Sequence, residues 1–116
     1  MKKVKLLNNI IGCFYFKKTQ NENLLGEFSH NKSHIILTES ADIIKSIDNF
    51  VGEYHTTWQE NTKIYFSKLQ ISHKAKSGGK IYKLIWLSDK GDIIFFGKGF
   101  LVDGILIGSY RDFAII

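Results

Sequence analysis

The sequence predicts an all-β fold, specifically an eight-stranded antiparallel up-and-down barrel. Three observations lead there. The composition combines ten glycines, no proline and 14% aromatic residues, a balance that favours strands over helices. The tripeptides Gly12-Cys13-Phe14, Gly26-Glu27-Phe28, Gly52-Glu53-Tyr54 and Gly108-Ser109-Tyr110 share one form, glycine, any residue, aromatic, each after two apolar residues. Short turn signals also divide the chain into eight apolar or alternating segments, with no room for helical crossovers.

The elements follow in order. The first strand covers about 10–18, and Gln20-Asn21-Glu22-Asn23 turns the chain into a second over about 24–29. His30-Asn31-Lys32-Ser33 turns into a third over about 34–38. Around 40–47 two readings stand. Ser40 caps a short helix with Ile43, Ile44 and Ile47 on one side, or the segment is an extra short strand. The fourth strand, about 50–58, alternates, with Phe50, Gly52, Tyr54, Thr56 and Trp58 on one face. The fifth covers about 63–72. Ser77-Gly78-Gly79 then makes a hairpin turn into a sixth over about 80–88, which places Tyr82, Leu84 and Trp86 together. Asp89-Lys90-Gly91-Asp92 turns into a seventh over about 92–101, with Phe95, Gly97 and Gly99 on one face. Asp103-Gly104 turns tightly into the eighth, about 105–111. Residues two apart share a strand face, so each Gly-x-aromatic motif puts glycine and ring on one side. Glycine inside a strand marks a tight bend or a close approach, as a small closed barrel requires.

At 116 residues the chain has the length of one domain. It reads as a basic N-terminal tail over 1–9 and a barrel over 10–111. Apolar residues make up 44% and charged residues 23%, an ordinary globular balance that excludes a disordered chain. No apolar run approaches the roughly 18–20 residues of a membrane-spanning helix. The net charge of +5 gathers at Lys2, Lys3, Lys5, Lys17 and Lys18, and at Lys74, Lys76, Lys80 and Lys83. No recognition helix or stacking motif accompanies these lysines, so solvated loops and protected strand edges are expected, and nucleic acid is not an expected partner.

Cys13 is the single cysteine, which excludes an internal disulfide. With Lys2, Lys3, Lys5 and Gly12 before it, the start of the chain matches the front of a lipoprotein signal. However, Asn8-Asn9 interrupt the apolar stretch, which needs about 7–15 residues. Phe14-Tyr15-Phe16 also follows where a polar tether belongs. The expectation is therefore a reduced strand residue facing away from Phe14 in a cytoplasmic protein. Lipid anchoring through Cys13 is the alternative.

The inner aromatic face is the candidate site: Tyr54, Thr56, Trp58, Tyr82, Trp86 and Tyr110 as ligand-binding residues, with Phe14 and Phe28 beside them. Aromatic walls with a few polar tips suit a small amphipathic or aromatic ligand. The competing reading is packing, because an eight-stranded barrel is just wide enough to be filled by its own side chains. No catalytic residue and no metal ligand is assigned. His30 and His34, with Glu27 and Glu39 nearby, lie in a polar turn region whose spacing fixes no metal geometry, and are read as surface residues. His55 is expected outward, and His73 lies beside the basic loop. For an enzyme, the charged group to examine is Asp103, Arg111 and Asp112 near the last hairpin. The loop KAKSGGKIYK lacks phosphate-loop spacing and a following helix. It would meet a phosphorylated ligand only by sitting over the pocket. IIFFGKGFLV is apolar on both faces, as in a strand that meets another subunit, so a homo-oligomer is an expected partner state.

These residues resemble the calycins, the group that contains lipocalins, fatty-acid-binding proteins and avidins. IGCFYF looks like the calycin first strand, glycine-any-tryptophan, with Phe14 standing where tryptophan would be. LLGEFSHN followed by FVGEYHTTW is similar to the avidin pattern of Gly-x-Tyr strands with tryptophans lining the ligand site. FFGKGFLVDGILIGSY resembles the closing hairpin of lipocalin-like bacterial proteins of unknown function. The resemblance spans roughly 10–111. It implies a small-molecule pocket at one barrel mouth and no cofactor. Three function classes follow: a small-molecule-binding protein, an assembly module working through outer apolar strand faces, and a small cyclase- or isomerase-like barrel enzyme.

Overall fold

A computed structural model describes residues 9–112 and the backbone of Val4–Lys5 and Ala114–Ile115. Most of the tail expected over 1–9 lies outside the described residues. In chain order the strands are β1 (Val4–Lys5), β2 (Ile11–Lys18), β3 (Leu24–His30), β4 (Leu37–Asp48), β5 (Val51–Glu60), β6 (Lys63–His73), β7 (Tyr82–Leu87), β8 (Ile93–Val102), β9 (Ile105–Asp112) and β10 (Ala114–Ile115). β2 to β9 form a closed barrel in sequential order, every pair antiparallel, with β9 returning to pair with β2. β1 and β10 pair with each other outside it.

The turns follow from local chemistry. Asp103 and Gly104 have φ of 51° and 78°, and Asn61 and Thr62 have 53° and 65°. Each pair joins two strands directly in the left-handed conformation that two-residue hairpins need. Closure depends on glycines inside the strands. A Cβ on Gly108 would lie 2.1 Å from the Lys98 carbonyl oxygen and 2.8 Å from Phe14 Cζ. One on Gly26 would lie 1.9 Å from the Tyr15 carbonyl oxygen. Only glycine lets neighbouring backbones coil this closely.

The interior is built from the predicted faces. Tyr54, Thr56 and Trp58 of β5, Tyr82, Leu84 and Trp86 of β7, and Phe14 and Phe16 of β2 are all buried. Cys13 is exposed on the outer side of β2, opposite Phe14.

One segment differs from expectation. No helix lies at 40–47, and the strand expected over 34–38 begins only at Leu37. Residues 37–48 are one strand, so the strand alternative is the one the chain takes, without adding a ninth strand to the barrel. Leu37, Glu39 and Ala41 point inward, and Ser40 points out to solvent instead of capping a helix. The pairing with β5 shifts register between Ile43 and Lys45 and again between Ser46 and Asp48. Each bulge inserts a residue and breaks the two-residue period. The resulting Ile43, Ile44, Ile47 spacing imitates a helical face, yet Ile44 and Ile47 are exposed.

Candidate functional site

The two ends of the barrel differ. One carries the turns at 19–23, 49–50, 74–81 and 103–104, and there the interior is filled. The Tyr54 hydroxyl donates to the Phe50 carbonyl at 2.8 Å, and burial pushes its phenol up to about 12. Phe50 meets Tyr82 edge-on at 6.3 Å, and Tyr82 carries the His73 ring at 4.9 Å.

The other end carries the connections at 31–36, 61–62 and 88–92, and it holds a pocket of about 40 Å³. Its walls are Phe14, Phe28, Trp58, Trp86, Phe95 and Tyr110. These rings pack on one another mostly edge-to-face: Phe95 on Tyr110 at 5.5 Å, Phe14 on Trp86 at 5.8 Å, Phe28 on Trp58 at 6.3 Å. Each ring is thereby locked by its neighbours.

Glu39 is the buried acid of this pocket. It reaches inward from β4 and is 5% exposed. The Trp86 indole Nε1–H donates to its Oε2 at 2.9 Å. Desolvation pushes the carboxyl up from 4.5 to about 7, against the opposing pull of hydrogen bonds from Trp86 and Thr56. Burial, with the carboxylates of Glu39 and Glu60 adding to it, also drives the Tyr110 phenol well above its ordinary value. At the rim, His30 Nε2 lies 2.8 Å from Glu60 Oε2. The Lys32 backbone N–H donates to His30 Nδ1 at 3.1 Å. In the neutral ring the proton therefore sits on Nε2, which donates to Glu60.

Of the six sequence-predicted site residues, Trp58, Trp86 and Tyr110 meet at this pocket. Thr56 lies deeper, 1% exposed, and shares a 2.7 Å hydrogen bond with the Ser67 hydroxyl. Tyr54 and Tyr82 belong to the filled end. Sequence reasoning misses Glu39, His30 and Glu60: it places His30 on the surface and assigns neither carboxylate to the site. For His30 this is a correction, since its side chain is 6% exposed and hydrogen-bonded to Glu60. The signal for Glu39 is the alternation Leu37-x-Glu39-x-Ala41, which aims a carboxylate into the core.

Two further expectations change. Asp103 lies in the β8–β9 turn, while Arg111 and Asp112 lie at the far end of β9, so the three form no cluster. Asp112 instead ties down the chain start, its Oδ1 accepting the Ile10 backbone N–H at 2.8 Å. The 74–81 loop sits at the filled end, away from the pocket, because an antiparallel meander sends alternate connections to opposite ends. On the outer wall, Phe100 and Val102 of β8 pair with Ile107 and Ile105 of β9, and the first three are exposed.

Fold and site define a closed eight-stranded barrel with an aromatic, carboxylate-bearing pocket at one mouth. No protein-family model matches the chain, and no curated protein or solved structure matches it. No helix among the described residues is long and apolar enough to cross a membrane.

Proposed function

We propose that the protein is a small-molecule-binding barrel of calycin type, which seats a small ligand group between Trp58, Trp86 and Tyr110. One observation carries this reading: a buried carboxylate, Glu39, opens into an aromatic pocket at a barrel mouth. A carboxylate is costly to bury for packing alone, because an apolar side chain fills the same space without desolvation. The pocket has room for about three water molecules, so it takes a head group or a very small molecule. A drug-sized ligand needs several hundred Å³. Cys13, a lone exposed thiol, supports a reducing, cytoplasmic setting for this activity.

The chain has two tryptophans, and both line the pocket. Their indole N–H resonances therefore report on it directly. Titration with a set of fragments of up to about six heavy atoms should shift the Trp86 indole signal. If no fragment moves either indole at millimolar concentration, the binding reading falls.

A second reading rests on the outer wall. Phe100 is 55% exposed, Val102 42% and Ile107 38%, side by side on one hairpin. Such a contiguous apolar surface fits association with another copy of the chain.

A further inference from the structure

We propose that the group this pocket takes is a compact organic cation, an alkylammonium head of about four heavy atoms, held by the Glu39 carboxylate within the aromatic walls. The inference rests on reading the mouth pocket as a ligand site.

Charge is the first support. The chain as a whole is +5, yet among the described residues lining the pocket there is no lysine or arginine. The ionisable groups there are Glu39, Glu60, His30 and Tyr110. The pocket lining is thus acidic within a basic protein, which at contact range favours a cation over an anion.

The second support is the difference between the two acids. Glu60 already has His30 at 2.8 Å. Among the described residues, no basic side chain pairs with Glu39. Its Oε2 accepts the Trp86 indole, and a carboxylate has about four acceptor positions. Glu39 is therefore oriented by Trp86 and Thr56, and with two of its acceptor positions used it can still accept from a ligand N–H. A bound cation would supply the opposite charge that burial makes valuable.

The walls and the volume narrow the class further. A cation near the faces of Trp, Tyr or Phe is attracted by the ring quadrupole, most strongly when desolvated, and cages of such rings bind alkylated ammonium groups. About 40 Å³ seats the N–H end of such a head against Glu39 and leaves the rest of it to project past His30 and Glu60.

Binding is coupled to a proton. Glu39 titrates near 7 when the pocket is empty, and a cation stabilises its ionised form. Affinity should therefore fall about tenfold from pH 8 to pH 6, following the ionised fraction. The titratable groups facing Glu39 are His30 from β3, Glu60 from β5 and Tyr110 from β9, while β2, β7 and β8 present Phe14, Trp86 and Phe95.

The test uses trimethylammonium chloride and its neutral near-isostere tert-butanol, each titrated into the full chain while the Trp86 indole N–H is followed by NMR. Three results are expected. At pH 8 the cation binds at least about tenfold tighter than the alcohol. That preference shrinks about tenfold at pH 6. Glu39→Gln, which keeps shape and an acceptor for Trp86, removes it. Equal binding of the two probes, or tighter binding of the alcohol, overturns the cation inference and leaves the pocket reading standing. Binding of neither probe overturns both. If Glu39→Gln fails to fold, the pH series on the unaltered chain decides.

Discussion

Replacing Glu39 by glutamine should remove one specific part of the pH dependence of folding. The unfolded carboxyl titrates near 4.5 and the folded one near 7. A folded value above the unfolded one means that the native state holds the proton more tightly. The associated stability is fully present below about pH 4.5 and is lost as pH rises through about 7. At about 1.4 kcal/mol per pH unit, the difference between 4.5 and about 7 amounts to about 3 kcal/mol. Little is screened by solvent, because the side chain is almost fully buried. Glutamine keeps an oxygen for the Trp86 indole, and the folded value near 7 already includes the pull of that hydrogen bond on the carboxylate. Glu39→Gln should therefore match the parent closely at pH 4.5 and be about 3 kcal/mol more stable at pH 8. The assay is urea denaturation of both proteins at pH 4.5, 6, 7 and 8, read by tryptophan fluorescence. Comparing the two proteins at each pH cancels the titrating groups that do not face Glu39. Stability curves that run parallel within about 0.5 kcal/mol would refute the reasoning, since Glu39 would then not be desolvated in the native state. A variant progressively less stable than the parent as pH rises would refute it too.

Glycine placement gives a second prediction. Gly108→Ala puts a methyl 2.1 Å from the Lys98 carbonyl and against Phe14, and should cost at least about 3 kcal/mol or abolish soluble expression. Gly91→Ala, in an open turn with φ of 83° and nothing within 4 Å, should cost only about 1 kcal/mol in the same urea assay. For the association surface, light scattering at about 100 µM should show a dimer that Phe100→Glu converts to monomer. The substitution should change the stability of the monomer by less than about 0.5 kcal/mol, because Phe100 is 55% exposed on the outer wall. A parent chain that is already monomeric removes that reading.

Much of the barrel was legible because a strand carries its sidedness in its own period. Phe50, Tyr54, Thr56 and Trp58, and then Tyr82, Leu84 and Trp86, alternate cleanly, and all seven are buried as the pattern requires. β4 was not legible, because two bulges shift the phase and leave isoleucines at helix-like spacing. Glu39 was missed for a related reason. Its inward position depends on β4 beginning at Leu37, directly after a loop that carries the exposed Ile35 and Ile36.

By itself, then, the sequence determined an all-β meander, most of its turns, and which side chains of β5 and β7 face inward. These follow from nearest-neighbour chemistry: alternation, glycine and turn residues. Only the tertiary structure decided at what height each inward side chain sits. That height separates Trp58, Trp86 and Tyr110 at the open mouth from Tyr54 and Tyr82 at the filled end. It also sets how much space the packed rings leave and what burial does to Glu39. Height is fixed by the register of eight strands closing on one another, and a buried charge by everything around it, and neither is a property of any single stretch of chain.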